Sequence, residues 1–226
     1  MLLAGLLAWW ALPRAPVLSH GIDMHRKDVY IPESMGYVTG VICILTCMYY
    51  QKYVYEMCVG VYMGFVDDVF LLRWRTKLIM HAFLLIPTVW HLWWWPLALL
   101  CTIFCANAVN ILAGINGVEV VQVLTMSMGF MWMDLLDGRE DMLPGLMTST
   151  SLALLMFNRY PASLFVGDTF TTYGGLAIAW MTFTRRCYFA TAVMMLPQGV
   201  NFLFSLPQLV GLAPCPRHRL PGWDAE

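Results

Sequence analysis

Residues 96–112 read PLALLCTIFCANAVNIL, an apolar run of helical length that no Asp, Glu, Lys or Arg interrupts. A run of this kind is either a buried core helix or a helix facing lipid, and its length alone does not separate the two. The surrounding chain does. Comparable runs fall at 1–12, 36–50, 53–66, 78–95, 118–136, 142–157, 169–183 and 187–212, each bounded by polar residues. Of the 226 residues 60% are hydrophobic and only 12% charged, and the mean hydropathy is +0.65. That is more apolar than the water-facing surface of a soluble domain permits. The expectation is an all-α polytopic membrane protein with about nine transmembrane helices in a single domain over residues 1–226. No internal repeat or low-complexity linker divides it.

Several of these runs are shorter than the ~20 residues that cross an average hydrocarbon core, which suits a thin bilayer with snorkelling flanks. Pro197 and Pro207 inside the last run predict a kinked or broken helix, because each removes a backbone donor. The first run lacks a basic leader and meets Pro13 and Arg14 directly, so it reads as a first span rather than a cleaved signal. With nine spans, alternate loops share a face. Nine of the thirteen basic residues, among them Arg14, Arg26, Lys27, Arg73, Arg75, Lys77 and Arg159, then fall on one side, which the positive-inside rule makes cytosolic. Trp90, Trp93, Trp94 and Trp95 mark the far interface, and the acidic stretch 134–141 is expected to be a solvated loop there.

A formal net charge of -1 leaves no basic excess for neutralising a nucleic-acid backbone, so that class of partner is excluded. The seven cysteines form no CxxC pair and sit mostly in apolar runs, where a thiol behaves as a small hydrophobe. His81 and His91 read as locally hydrogen-bonded or interfacial histidines rather than metal ligands.

Five polar clusters interrupt the apolar pattern, at 23–34, 67–77, 107–116, 158–168 and 217–219, and parity puts all of them on the cytosolic face. In GFVDDVFLLRWRTK (64–77), Asp67 and Asp68 close a helix and, as neighbouring like charges, call for a metal, a proton or a cation. Lys77 offers a compact positive charge for phosphate oxygens, while Arg73 and Arg75 around Trp74 read as interface anchors. CANAVNILAGING (105–117) places Asn110 at a helix end before turns at Gly114 and Gly117, giving either oxygen ligands for a hard cation or a plain packing face. Asp168 in RYPASLFVGDTF (159–170) stands where it either caps the next helix or binds metal. PCPRHRLP (214–221) holds Arg217, His218 and Arg219 in a Pro-bounded loop suited to clamping a pyrophosphate, or serving as a basic stop after the last helix. Taken together, these groups describe a site for a Mg²⁺-bound diphosphate.

These motifs, with NFLFSLPQL (201–209) and IPES (31–34), closely resemble those of the polyprenyl-phosphate N-acetylhexosamine-1-phosphate transferases over about residues 21–221. The likeness is strongest to the eukaryotic enzymes that use UDP-GlcNAc and dolichyl phosphate and are the target of tunicamycin. The resemblance implies a Mg²⁺-dependent transferase of the endoplasmic reticulum membrane, its active site facing the cytosol, working as a homodimer among membrane lipids. It would release UMP and form dolichyl diphosphate-GlcNAc, the first step of N-glycan precursor assembly. Residue by residue, Asp67 and Asp68 match the family's aspartate pair, Lys77 its phosphate-contacting lysine, and Asn110 and Asp168 its Mg²⁺ ligands. Phe165 and Gly114 match the groups that sandwich uracil, Asn116 and Met24 lie where its backbone contacts fall, and Glu33 matches a nucleoside contact. Arg217 matches a pyrophosphate contact, with His218 and Arg219 near the sugar. Leu71 departs from the family, whose eukaryotic members carry an asparagine there, and this favours a related transferase using another UDP-sugar as an alternative. The contracted loops and apparently missing final helix imply an odd number of helices and a cytosolic C-terminus, and they leave an inactive scaffold or regulatory homologue as a further alternative.

Overall fold

The computed structural model describes residues 1–22, 29–70, 72–209 and 212. Among the described residues the chain forms ten α-helices: α1 (Leu2–Ala11), α2 (Gly36–Tyr50), α3 (Val54–Phe70), α4 (Trp74–Val89), α5 (Trp95–Ile111), α6 (Val118–Asp137), α7 (Met142–Asn158), α8 (Gly167–Arg185), α9 (Tyr188–Met194) and α10 (Leu196–Leu209). The apolar runs become helices because their polar punctuation also ends them. Gly138, with φ 65°, closes α6 in the left-handed conformation that only glycine adopts without strain. Asp141 then opens α7 by accepting a hydrogen bond from the Leu143 N–H at 3.3 Å.

The last apolar run is broken, as its prolines lead one to expect: α9 and α10 are bent by 63° at a break just before Pro197, whose missing N–H cannot continue the helical ladder. Among the described residues ten helices therefore correspond to the nine apolar runs. The helical bundle carries one addition that the sequence reading did not give: β1 (Ser19–Ile22) and β2 (Tyr30–Glu33) pair antiparallel with Ser19 opposite Glu33 and Ile22 opposite Tyr30. Strands of four residues, one containing Pro32, carry too little alternation to be read from sequence.

Helix α8 is the axle of the bundle. Every residue from Thr169 to Thr182 is buried, against α2, α3, α5 and α6. Such close approach needs small residues at the crossings. A side chain at Gly175 would run into the Cys105 carbonyl oxygen, and one at Gly64 would stand 2.5 Å from the Thr169 Cα. Several buried threonines satisfy their hydroxyls locally. Thr102, Thr150 and Thr182 donate back to the carbonyl four residues earlier, and the Thr39 hydroxyl pairs with the Tyr173 hydroxyl at 2.6 Å. Large apolar side chains such as Leu2, Leu6, Phe83, Phe189, Leu203 and Phe204 point outward instead. By length and composition no single described helix is long and apolar enough to cross a membrane, whereas α9 and α10 together pass as a broken span.

At the end of the bundle away from the polar clusters, the acidic stretch 134–141 is exposed from 135 to 140, as expected from sequence, but its two end residues, Asp134 and Asp141, are drawn into an ion network. Asp134 is buried and holds the Arg185 guanidinium through both carboxylate oxygens, and Arg185 Nη2 also donates to Asp141 at 3.0 Å. The Tyr53 hydroxyl adds a bond to Asp141 at 3.0 Å, and burial pushes that phenol's pKa well up. The network ties α6, α7 and α8 to the α2–α3 connection. Sequence could not reveal it because its members are separated along the chain and acquire burial only by packing. Arg185→Ala leaves two carboxylates without their shared cation and should lower stability by about 3–5 kcal/mol. Arg139→Ala, which loses an exposed pair with Asp137 and an exposed 3.4 Å bond to the Thr184 carbonyl, should change it by less than about 0.5 kcal/mol. Thermal unfolding of the two variants in detergent checks the contrast.

Candidate functional site

The opposite end of the bundle gathers the polar clusters. Lys77, in the first turn of α4, reaches two carboxylates: its ammonium pairs with Asp67 Oδ2 at the end of α3 and with Asp168 Oδ2 at 2.9 Å at the start of α8. The other Asp168 oxygen meets the amide of Asn110, near the end of α5, at 2.5 Å. Four helices thus deliver one side chain each to a single point. Asp67 is buried, and its second oxygen accepts the Leu72 N–H at 3.0 Å, which fixes the turn between α3 and α4. His81, one turn along from Lys77, bonds through Nδ1 to the Lys77 carbonyl at 2.6 Å, in keeping with a local rather than metal-binding role.

Asp68 behaves differently from its neighbour. One of its oxygens accepts the Asp168 N–H at 2.7 Å, and the other accepts the Thr169 N–H at 2.9 Å and the Thr169 hydroxyl at 2.5 Å. These are the donors that a helix N-terminus leaves without partners. Asp168 itself, for which a capping role stood open, instead turns its carboxylate toward Lys77 and Asn110.

Beside Asp168 lies a cavity of about 260 Å³ lined by Glu33, Asn110, Gly114, Asn116, Glu119, Asn158, Phe165 and Gly167, among others. Its walls are the hairpin, the turn before α6 and the loop before α8. The Phe165 N–H donates to the Pro32 carbonyl at 2.7 Å, and its carbonyl accepts the Met35 N–H at 3.0 Å, so ring and hairpin are locked together. Glu33, Gly114, Asn116 and Phe165, separated by up to 132 positions in sequence, are therefore neighbours. The expected site residues Met24, Arg217, His218 and Arg219, together with the divergent Leu71, lie outside the described residues.

Two further residues shape the cavity. Asn158, fully buried at the end of α7, accepts the Gly117 N–H at 3.0 Å and donates to the Leu164 carbonyl at 2.9 Å, tying two walls together. Glu119, in the first turn of α6, accepts the Gly114 N–H at 3.4 Å. Sequence reading gave neither a specific role. The available signal was a polar side chain ending an apolar helix and an acidic one opening the next.

The donor set suits a hard divalent cation. Among the described residues no group of three or more His, Cys, Asp or Glu is placed to hold a metal ion; the chemistry of Asp168 and Asn110 is that of oxygen donors, of which Mg²⁺ needs one or two from protein when water and phosphate complete its shell. Asn110 faces Asp168 edge to edge, and turning its amide over presents the carbonyl oxygen beside the carboxylate.

Residues 87–185, which run from the end of α4 through α8, match the model of glycosyl transferase family 4. The chain is similar to proteins named UDP-N-acetylglucosamine–dolichyl-phosphate N-acetylglucosaminephosphotransferase. One, from Dictyostelium discoideum, is 28% identical over 306 aligned positions that take in 99% of this chain and 74% of the relative. That from Saccharomyces cerevisiae is 34% identical over 74% of this chain and 46% of the relative, and that from Leishmania amazonensis 37% identical over 57% and 34%. The chain thus spans less than half of the yeast and Leishmania relatives.

The Asn158 cross-link gives a direct test of the cavity. Asn158→Leu strands the Gly117 N–H and the Leu164 carbonyl, and should cost about 1–3 kcal/mol. Amide exchange at Gly117 should accelerate sharply, as hydrogen–deuterium exchange would detect.

Proposed function

We propose that this chain transfers N-acetylglucosamine-1-phosphate from UDP-GlcNAc to dolichyl phosphate, giving dolichyl diphosphate-GlcNAc and UMP. The reading is carried by one observation: Asp67, Lys77, Asn110 and Asp168 converge at the edge of the cavity that holds Glu33, Gly114, Asn116 and Phe165. The names of the relatives supply the substrates. A planar base fits between the Phe165 ring and the Gly114 turn, where no side chain occupies the glycine's Cβ position. That arrangement leaves the diphosphate to extend toward Asp168 and Lys77.

Transfer consists of attack by an oxygen of the lipid phosphate on the β-phosphorus. The new P–O bond forms as the bond from that phosphorus to the bridging oxygen breaks, and the electron pair leaves on UMP. Asn110 and Asp168 would hold Mg²⁺, which when bound would supply charge neutralisation for the diphosphate. Lys77 neutralises a phosphate oxygen with a cation that Asp67 keeps in place, and Arg217 offers a second clamp on the diphosphate. The chain's part is positioning and electrostatic stabilisation, which carry most of phosphoryl-transfer catalysis.

The setting we propose is the endoplasmic reticulum membrane, with the site toward the cytosol. Outward-facing Leu and Phe side chains and small or threonine residues at the helix crossings support a lipid surround, as does the bent α9–α10 pair. A homodimer rests on the family resemblance alone. Leu71, where the related enzymes carry an asparagine near the sugar, favours a second reading in which another UDP-sugar is the donor.

The test is to incubate the full chain in nanodiscs with UDP-GlcNAc, dolichyl phosphate and Mg²⁺. UMP should appear, tunicamycin should block it, and Asp168→Asn should reduce the rate by at least about 100-fold. A panel of UDP-sugars decides between the two donors. Failure to release UMP from any of them, or full activity in Asp168→Asn, refutes the transferase reading.

A further inference from the structure

The two adjacent aspartates point to different tasks. Asp68 lies at the end of α3, yet its carboxylate sits on the first turn of α8, a hundred residues further along the chain. Helix α8 has no side-chain cap of its own: its N-cap residue, Val166, offers no acceptor. The donors that an N-cap oxygen ordinarily satisfies belong to the second and third helical residues, here Asp168 and Thr169. Asp68 takes both, and the Thr169 hydroxyl as well. Three donors on two oxygens leave this carboxylate little capacity for a substrate.

The packing around it is close. Gly167 holds φ at 72°, and a Cβ there would stand 2.7 and 2.8 Å from the two Asp68 oxygens and 2.6 Å from the Ser34 Cα. One turn earlier on α3, a Cβ at Gly64 would stand 2.5 Å from the Asp168 carbonyl oxygen. The end of α3 and the start of α8 therefore meet backbone to backbone, with Asp68 as the fastening. The residue fastened is Asp168, whose carboxylate faces Asn110 and Lys77.

We infer that Asp68 is a positioning residue that acts through Asp168: by capping α8 from α3 it sets where the divalent-cation ligand stands relative to Lys77 and Asp67. This deepens the transfer reading and rests on it for the identity of the cation. The juxtaposition also accounts for why two carboxylates are adjacent. Asp67 holds the lysine, and Asp68 holds the metal-binding aspartate.

Binding of Mn²⁺, followed by its paramagnetic resonance signal on the full chain in detergent, separates a positioning role from a catalytic one. Outer contacts of a metal ligand typically change affinity by about 10–100-fold. Asp68→Asn, which keeps one acceptor and loses the other, should weaken Mn²⁺ binding within that range. Thr169→Val, which removes only the hydroxyl contact and preserves shape, should weaken it by a smaller factor and serves as the readout should Asp68→Asn not fold. In turnover, excess Mg²⁺ should restore kcat of Asp68→Asn to within about tenfold of the unchanged chain, because the reacting groups themselves are intact. Unchanged Mn²⁺ affinity in both variants, no Mn²⁺ binding by the unchanged chain, or a kcat loss of about 100-fold or more that metal does not rescue overturns the assignment. If the unchanged chain binds Mn²⁺ but releases no UMP, the transfer reading fails while the Mn²⁺ comparison still decides the role of Asp68.

Discussion

The Asp68 carboxylate on the first turn of α8 is the contact through which the site's geometry is set. A helix that starts inside a packed bundle must find acceptors for its first N–H groups. Here the acceptor comes from a neighbouring helix, so satisfying the backbone also fixes the spacing between α3 and α8. Everything that reaches the site from those helices inherits that spacing. Asp67 is one residue from the fastening, and Asp168 is one of the residues fastened.

The bundle around α8 supports that contact through close backbone approach as well as through its apolar core. Small residues at helix crossings allow the backbones to come together. Gly60, Gly64 and Gly175 do so against Tyr173, Thr169 and Cys105. The threonines that line the same surfaces recycle their hydroxyls onto their own helix or onto one another. The far end is held by charge instead, with Arg185 locked between Asp134 and Asp141. One end of α8 is thus anchored by a cap and the other by an ion network, and the site sits at the capped end.

The cavity beside Asp168 illustrates how a two-stranded hairpin too small to be noticed in sequence can matter. It carries Glu33 and, through main-chain bonds, pins the loop that holds Phe165. Asn158 performs the complementary task for the turn before α6. Neither is a reacting group, but together they decide the shape against which a planar ligand lies.

The sequence by itself determined the helices, the break before Pro197 and the identity of the chemical groups Asp67, Lys77, Asn110 and Asp168. Runs of apolar residues ended by Gly, Pro and charge are local signals, and charged side chains are too costly in an apolar setting to be placed idly. Only the tertiary structure decided what each group touches. It gave the cap of α8 to Asp68 rather than to Asp168, and it tied the two ends of the acidic stretch, Asp134 and Asp141, to Arg185 in an ion network. The physical reason is common to both: a hydrogen bond or ion pair between residues dozens of positions apart depends on burial and on helix spacing. Neither exists until the helices have packed.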